Sequence, residues 1–318
     1  MAKAKKTKAG SPATVAEKVK AIQPEQRLPI LKTYKMYIGG QFPRTESGRY
    51  YAATNRKGEA LANMCLGSRK DFRDAVVSAR GAFGSWSARA AFNRSQILYR
   101  IAEMLEGRRA QFVEELLRQD LSATEAQQEV DLSIDRFIYY SGWCDKYTQL
   151  FSTVNPVASS HFNFSVPEPM GVVAAVAPEK TSLLGLTSVI APIIAGGNTC
   201  VVLASKTKPL CAITFAEVLN SSDLPGGVVN ILTGDAGELI PQFASHLDVN
   251  AVASCDQSTE TKRLIAEKAT GNLKRTVFCD PVDWSSETAQ SPYHILDFQE
   301  IKTTWHPIEN IGGAKAGY

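Results

Sequence analysis

The sequence predicts an α/β protein: a parallel, doubly wound sheet flanked by helices, with a smaller β element set apart from it. Three observations carry that prediction. From Gly171 onward, short apolar runs rich in valine and isoleucine alternate with helical stretches, the pattern of strands buried on both faces. Ahead of Gly171, apolar residues recur at helical spacing over a long stretch. Between these regions, and again near residue 300, lie β-prone segments bounded by proline that belong to neither pattern.

Taken in order, residues 1–27 read as a disordered basic tail and linker, because "MAKAKKTKAG" carries four lysines and is of low hydrophobicity. "MYIGGQF" reads as a short strand with a glycine turn. Amphipathic helices are expected over about 70–84, 91–119 and 122–147, the first on "RKDFRDAVVSARGAFGSWS". "FSTVNPVASSHFNFSVPEPMG" then changes the period and predicts a hairpin or long strand excursion. Five strands follow at 171–177, 199–204, 228–233, 250–254 and 275–279. Ligands of such sheets gather at the carboxyl ends of the strands. Here those ends read "APEKTS", "LASKTKP", "TGDAGE", "SCDQSTE" and "CDPVDW". Pro281 to Pro292 reads as a linker, and "ILDFQEIKTTWHPI" as a last, isolated strand.

Composition narrows the function classes. With 318 residues, 44% apolar and 21% charged, the chain is ordinary globular material. Its longest apolar run, from Leu183 to Ala195, is interrupted by Gly185, Thr187, Ser188 and Pro192, and falls short of the roughly 20 residues a membrane span needs. A soluble protein is therefore expected. The net charge of +3 is concentrated in the lysine tail, which lacks interleaved aromatics, so nucleic acid is not expected as a partner. Cys65, Cys144, Cys200, Cys211, Cys255 and Cys279 form no CxxC pair, which points to reduced thiols, no metal site and a cytoplasmic location.

Six blocks in order, "MYIGGQF", "YYSGWCDK", "PMGVVAAVAP", "GGNTCVVL", "LPGGVVNILTG" and "NLKRTVF", resemble the recurrent blocks of the aldehyde dehydrogenase superfamily. The resemblance implies a Rossmann-like cofactor-type domain over 28–148 and 167–284, and oligomerisation strands over 149–166 and 295–310. It also implies that 285–294 is a linker standing where the family has its catalytic domain. Enzymes of this family use NAD or NADP, a cysteine nucleophile, an asparagine in the oxyanion hole and a glutamate base.

Carried over position by position, the resemblance puts Lys180 where the oxyanion asparagine stands; a solvated lysine, or one paired with Glu179, is the simpler reading. The ribose-binding lysine falls on Ala204, with Lys206 or Lys208 as substitutes unless they are surface charge. The pyrophosphate turn falls on "SCDQSTETK", where Asp256 opposes phosphate and Ser258 and Thr259 read as helix caps. Near the glutamate base stand Cys279 and Asp280, a conceivable thiol and base, or simply a strand-end cysteine and its neighbour. The family's nucleophile lies beyond this block, and no cysteine follows Cys279.

The resemblance thus implies a truncated member, similar to the degenerate second unit of the aldehyde dehydrogenase 16 subfamily. No catalytic residue or cofactor is assigned, with Lys180, Lys206, Ser258 and Thr259 the candidates toward NAD or NADP. Phe162, Phe164, Phe298, Ile301 and Trp305 are the interface residues expected on the oligomerisation strands. The expected function is that of a noncatalytic subunit associated with a full-length aldehyde dehydrogenase paralogue. The alternative is an NAD(P)-dependent oxidoreductase with altered or residual nucleotide-binding chemistry.

Overall fold

A computed structural model of the chain describes residues 30–255, 257–279 and 282–308. The basic tail, Asp256 and Asp280 lie outside the described residues. Three short strands come first: β1 (Thr33–Tyr34), β2 (Tyr50–Thr54) and β3 (Ala60–Cys65), in the order β1-β3-β2. Between β1 and β2, "MYIGGQF" is a glycine turn rather than a strand. Ile38 bridges Gln41, while Tyr37 bridges antiparallel to Ile231 on the large sheet. Gly40 has a φ of +78° and its Cα side faces Gly226 closely, so neither the conformation nor the space admits a side chain.

Helix α1 (Arg69–Ser87) starts on a capping box in which Ser68 accepts from Lys70 and Asp71, and the Asp71 carboxylate returns to the Ser68 N–H. It buries Phe72, Ala75, Val76, Ala79 and Trp86. The helix expected over 91–119 is two, α2 (Ala91–Gly107) and α3 (Arg109–Arg118), parted where Gly107 weakens the helix and Arg108 leaves helical geometry. A second capping box, Ser122 with Glu125, opens α4 (Ala123–Trp143), and the short α5 (Tyr147–Phe151) follows.

The β-prone excursion is the hairpin β4 (Thr153–Asn155) and β5 (His161–Pro169). The alternating region then runs β6 (Val172–Val176), α6 (Leu184–Ala195), β7 (Thr199–Leu203), α7 (Leu210–Asn220), β8 (Val229–Leu232), α8 (Ala236–Ser245), β9 (Ala251–Cys255), α9 (Thr259–Ala269) and β10 (Arg275–Cys279). These five strands make one parallel sheet in the order β10-β9-β6-β7-β8. Their apolar runs are continuous because both faces are covered, and an apolar core lies on each side. Every residue of α6 is buried, which is why that helix is apolar all round.

The segment after β10 is no free linker. Arg136, itself buried on α4, donates to the carbonyls of Trp284 and Ser286, and Ala289 is buried within a 3-10 turn. The chain continues through α10 (Tyr293–Leu296) into β11 (Gln299–Pro307). β11 is not isolated: it pairs antiparallel with β5 along its whole length, giving a second sheet in the order β11-β5-β4. Its root is fixed to the large sheet. Asn198 donates to the Phe298 carbonyl at 2.8 Å, Gln299 to the Gly196 carbonyl at 3.1 Å, and Arg275 to the Asp297 and Gln299 carbonyls at 3.1 and 2.6 Å.

Candidate functional site

Strand β6 has β7 on one side and β9 on the other, so the sheet reverses its order beside β6, and the crevice at the carboxyl ends of β6 and β9 is where a doubly wound sheet takes a ligand. An opening of about 360 Å³ lies there, lined by Lys180, Thr181 and Lys208, by Glu125 and Glu129 of α4, and by Trp284.

The turn after β6 is closed by side chains of the chain itself. Glu129 reaches from α4 so that its Oε1 accepts from the N–H groups of Ser182, Leu183 and Leu184 at 2.9, 2.7 and 3.2 Å. Thr181 Oγ1 takes the next N–H, that of Gly185, at 3.0 Å. The donors that make a helix N-terminus attractive to an anion are therefore occupied. Ser182 turns its hydroxyl inward, donating to the Lys208 carbonyl at 2.8 Å.

Glu179 treats the turn after β7 in the same way. Its carboxylate accepts from the N–H groups of Lys206 and Thr207 and from the Ser205 hydroxyl, at 2.9 to 3.2 Å. Its carbonyl accepts from the hydroxyls of Ser205 and Thr207. Glu179 is thus a loop clamp, and of the two readings of Lys180 given above the structure has the solvated one: Lys180 is exposed, with no ion pair among the described residues. Lys206 spends its ammonium on Asp235 at 2.6 Å, and that hydrogen bond holds the Asp235 carboxyl below the usual carboxylate range. Asp235 in turn caps α8, accepting from Glu238 N–H.

At α9, Ser258 is the N-cap, accepting from Thr261 N–H at 3.2 Å, and Thr259 is the first helical residue. Glu260 adds a negative charge to that first turn. At the turn after β7, where the resemblance puts the ribose, the backbone donors and the Lys206 ammonium are taken by Glu179 and Asp235, so the residues present there do not fit a ribose. Cys279 ends β10 half-buried beside Cys255, its partner in register. Among the described residues no cluster of histidine, cysteine and carboxylate side chains could hold a metal ion. No helix among them is long and apolar enough to cross a membrane.

On the small sheet the expected interface residues separate. Phe162 and Phe164 lie on one face with their rings 5.5 Å apart, and with Val154 they line a groove of about 300 Å³. Ile301 and Trp305 pair in register with Pro167 and Asn163, which puts them on the opposite face. Both are more than half exposed. Phe298 instead packs into the main core at 5% exposure, ahead of the first residue of β11, so it anchors the strand and is no surface residue.

A parallel sheet with a crevice at its switch point, joined to a protruding antiparallel sheet, defines a dinucleotide-cofactor type of domain by its frame. The profile of the aldehyde dehydrogenase family matches residues 43–279, and the chain belongs to that family. The match ends with β10. Cytosolic 10-formyltetrahydrofolate dehydrogenase of Xenopus tropicalis is 32% identical over 249 residues, 76% of this chain and 28% of that protein. The mitochondrial 10-formyltetrahydrofolate dehydrogenase of Mus musculus is 29% identical over 76% of this chain and 27% of its own length. Among solved structures, PnpE from Pseudomonas sp. WBC-3 superposes with a TM-score of 0.73 at 28% identity, covering 77% of this chain and 50% of that one. Another PnpE structure, in complex with nicotinamide adenine dinucleotide, matches with a TM-score of 0.73 at 27% identity. The chain spans under a third of these formyltetrahydrofolate dehydrogenases and about half of the solved aldehyde dehydrogenases it matches.

Proposed function

We propose that the chain is a noncatalytic aldehyde dehydrogenase-like subunit that associates with a full-length aldehyde dehydrogenase through the β11-β5-β4 sheet. The observation that carries this reading is the self-occupied cleft. Glu129, Glu179 and Asp235 occupy the backbone donors of the turns after β6 and β7 and the Lys206 ammonium, the candidate for the ribose. A second feature supports it: between β10 and β11 the described residues 282–298 hold one 3-10 turn and one short helix. The association strands are kept, rooted firmly, and carry exposed apolar residues on both faces.

Affinity capture of a tagged full chain from its host, followed by mass spectrometry and light scattering, tests the proposal. A full-length aldehyde dehydrogenase in fixed ratio is expected, and Phe162→Asp and Trp305→Asp, on opposite faces, identify which face it covers. A monomer free of any dehydrogenase would end the proposal. In parallel, calorimetric titration with NAD and NADP should give no heat of binding. Micromolar binding weakened by Lys180→Ala would instead favour an NAD(P)-dependent oxidoreductase with altered nucleotide chemistry, the reading that the NAD complex of PnpE brings forward.

A further inference from the structure

A second cavity, of about 250 Å³, lies between α6, the end of β10 and the segment 282–298. Val189 and Pro192 of α6, Val277 of β10, and Trp284 give it apolar walls. One end is polar: His294 Nδ1 lies 3.4 Å from Asp297 Oδ2, and both side chains line the space, as does Cys279. A closed apolar cavity of about 150 Å³ binds benzene, so this one, open to solvent beside His294 and Asp297, has the volume for a single ring with a substituent. A carboxylate group accepts hydrogen bonds and repels another carboxylate. A substituent that meets the Asp297 carboxylate therefore donates.

We propose that this cavity binds a single-ring aromatic molecule bearing a hydroxyl or amino group, with the ring against Val189, Pro192, Val277 and Trp284 and the donor at Asp297. Residues 282–298, between β10 and β11, supply Trp284 and both polar residues, so the site belongs to that connection. It shares Trp284 with the crevice opening but lies on the other side of the segment, against α6.

Cys279 reports occupancy, because it is the one cysteine of the six that is not buried. The full chain is treated with iodoacetamide, and Cys279 alkylation is followed by mass spectrometry with 4-methylphenol or 4-methylbenzoate present. At ten times its Kd, 4-methylphenol is expected to slow alkylation about tenfold by mass action. It should also raise Tm, a readout independent of the thiol. The benzoate should do neither. Filling the space with Val277→Phe, or with Ala289→Met if the first variant misfolds, should abolish both effects. Absence of protection and of any Tm shift up to the solubility limit of 4-methylphenol would overturn the proposal. Equal effects of the two ligands, or effects that persist in the filled variant, would overturn it as well.

Discussion

Replacing Glu129 by alanine tests the self-occupied turn most directly. The Glu129 carboxylate is buried at 8% exposure, and its Oε1 accepts from three successive N–H groups that belong to residues no more than 3% exposed. Alanine leaves all three without their acceptor. A buried donor stripped of its partner costs about 1–3 kcal/mol. The neighbouring opening, which Glu129 itself lines, admits water to the vacated space and puts each group at the lower end of that range. The sum is a loss of about 3 kcal/mol. Glu129→Gln keeps an oxygen acceptor but not the charge, and a charge-assisted bond is roughly twice as strong as a neutral one, so about half that loss is expected. Urea unfolding followed by circular dichroism reads both as midpoint shifts at unchanged slope. Sulfate should then stabilise Glu129→Ala more than the parent, since the vacated turn becomes an anion site. An alanine variant within about 0.5 kcal/mol of the parent would refute the reasoning, placing the change among ordinary surface substitutions.

Three further outcomes follow from single residues. Burial pushes the Glu115 carboxyl above its usual range, against hydrogen bonds from Thr214 and Tyr34 that pull it down, and its Oε2 has no hydrogen-bond partner. The folded state therefore holds that proton more tightly than the unfolded chain. Its contribution is full below the ordinary glutamate range and is lost as pH rises through the raised value, so Glu115→Gln should flatten that fall in a pH series of Tm. Burial lowers the Lys274 ammonium to about 8 from 10.5, so stability should rise between those two pH values, and Lys274→Met should remove the rise. Gly171 has a φ of +136°, and a β-carbon there would collide with the Asn250 side chain that binds Val172 N–H and Arg80. Gly171→Ala is expected to cost about 2–4 kcal/mol in the same urea assay.

The two levels of the molecule were not equally legible. The five strands of the large sheet stand within a residue or two of their expected bounds, because continuous apolar runs such as Val172–Val176 leave no other local reading. The β1-β3-β2 sheet was missed: Tyr50–Thr54 and Ala60–Cys65 mix small and polar residues with no clean alternation, and their pairing comes from burial that only the fold supplies. At the site, Ser258 was recognisable as a cap from the acid and helix that follow it. Glu129 was not recognisable, since its first partner lies 53 residues away and nothing local marks a carboxylate on a helix as a plug for another helix. Glu179 was noticed only as one of two fates for Lys180, and its own partners were not foreseen. Adjacency suggested Lys180, whereas two backbone N–H groups and two hydroxyls across the crevice offer a carboxylate more than one mobile ammonium.

The root of β11 makes the small sheet a lever. Arg275, the first residue of β10, grips the Asp297 and Gln299 carbonyls, and Glu300 completes the grip from the strand itself. From that fulcrum the nine residues of β11 reach on the order of 30 Å to the tip. A tilt of about five degrees at the root would carry the tip through about 2.6 Å over that span, enough to break van der Waals registry with whatever the tip touches. Torque applied at the far end is thus delivered to the carboxyl-terminal neighbour of the crevice strands, and a distortion of β10 is magnified outward by the same arm.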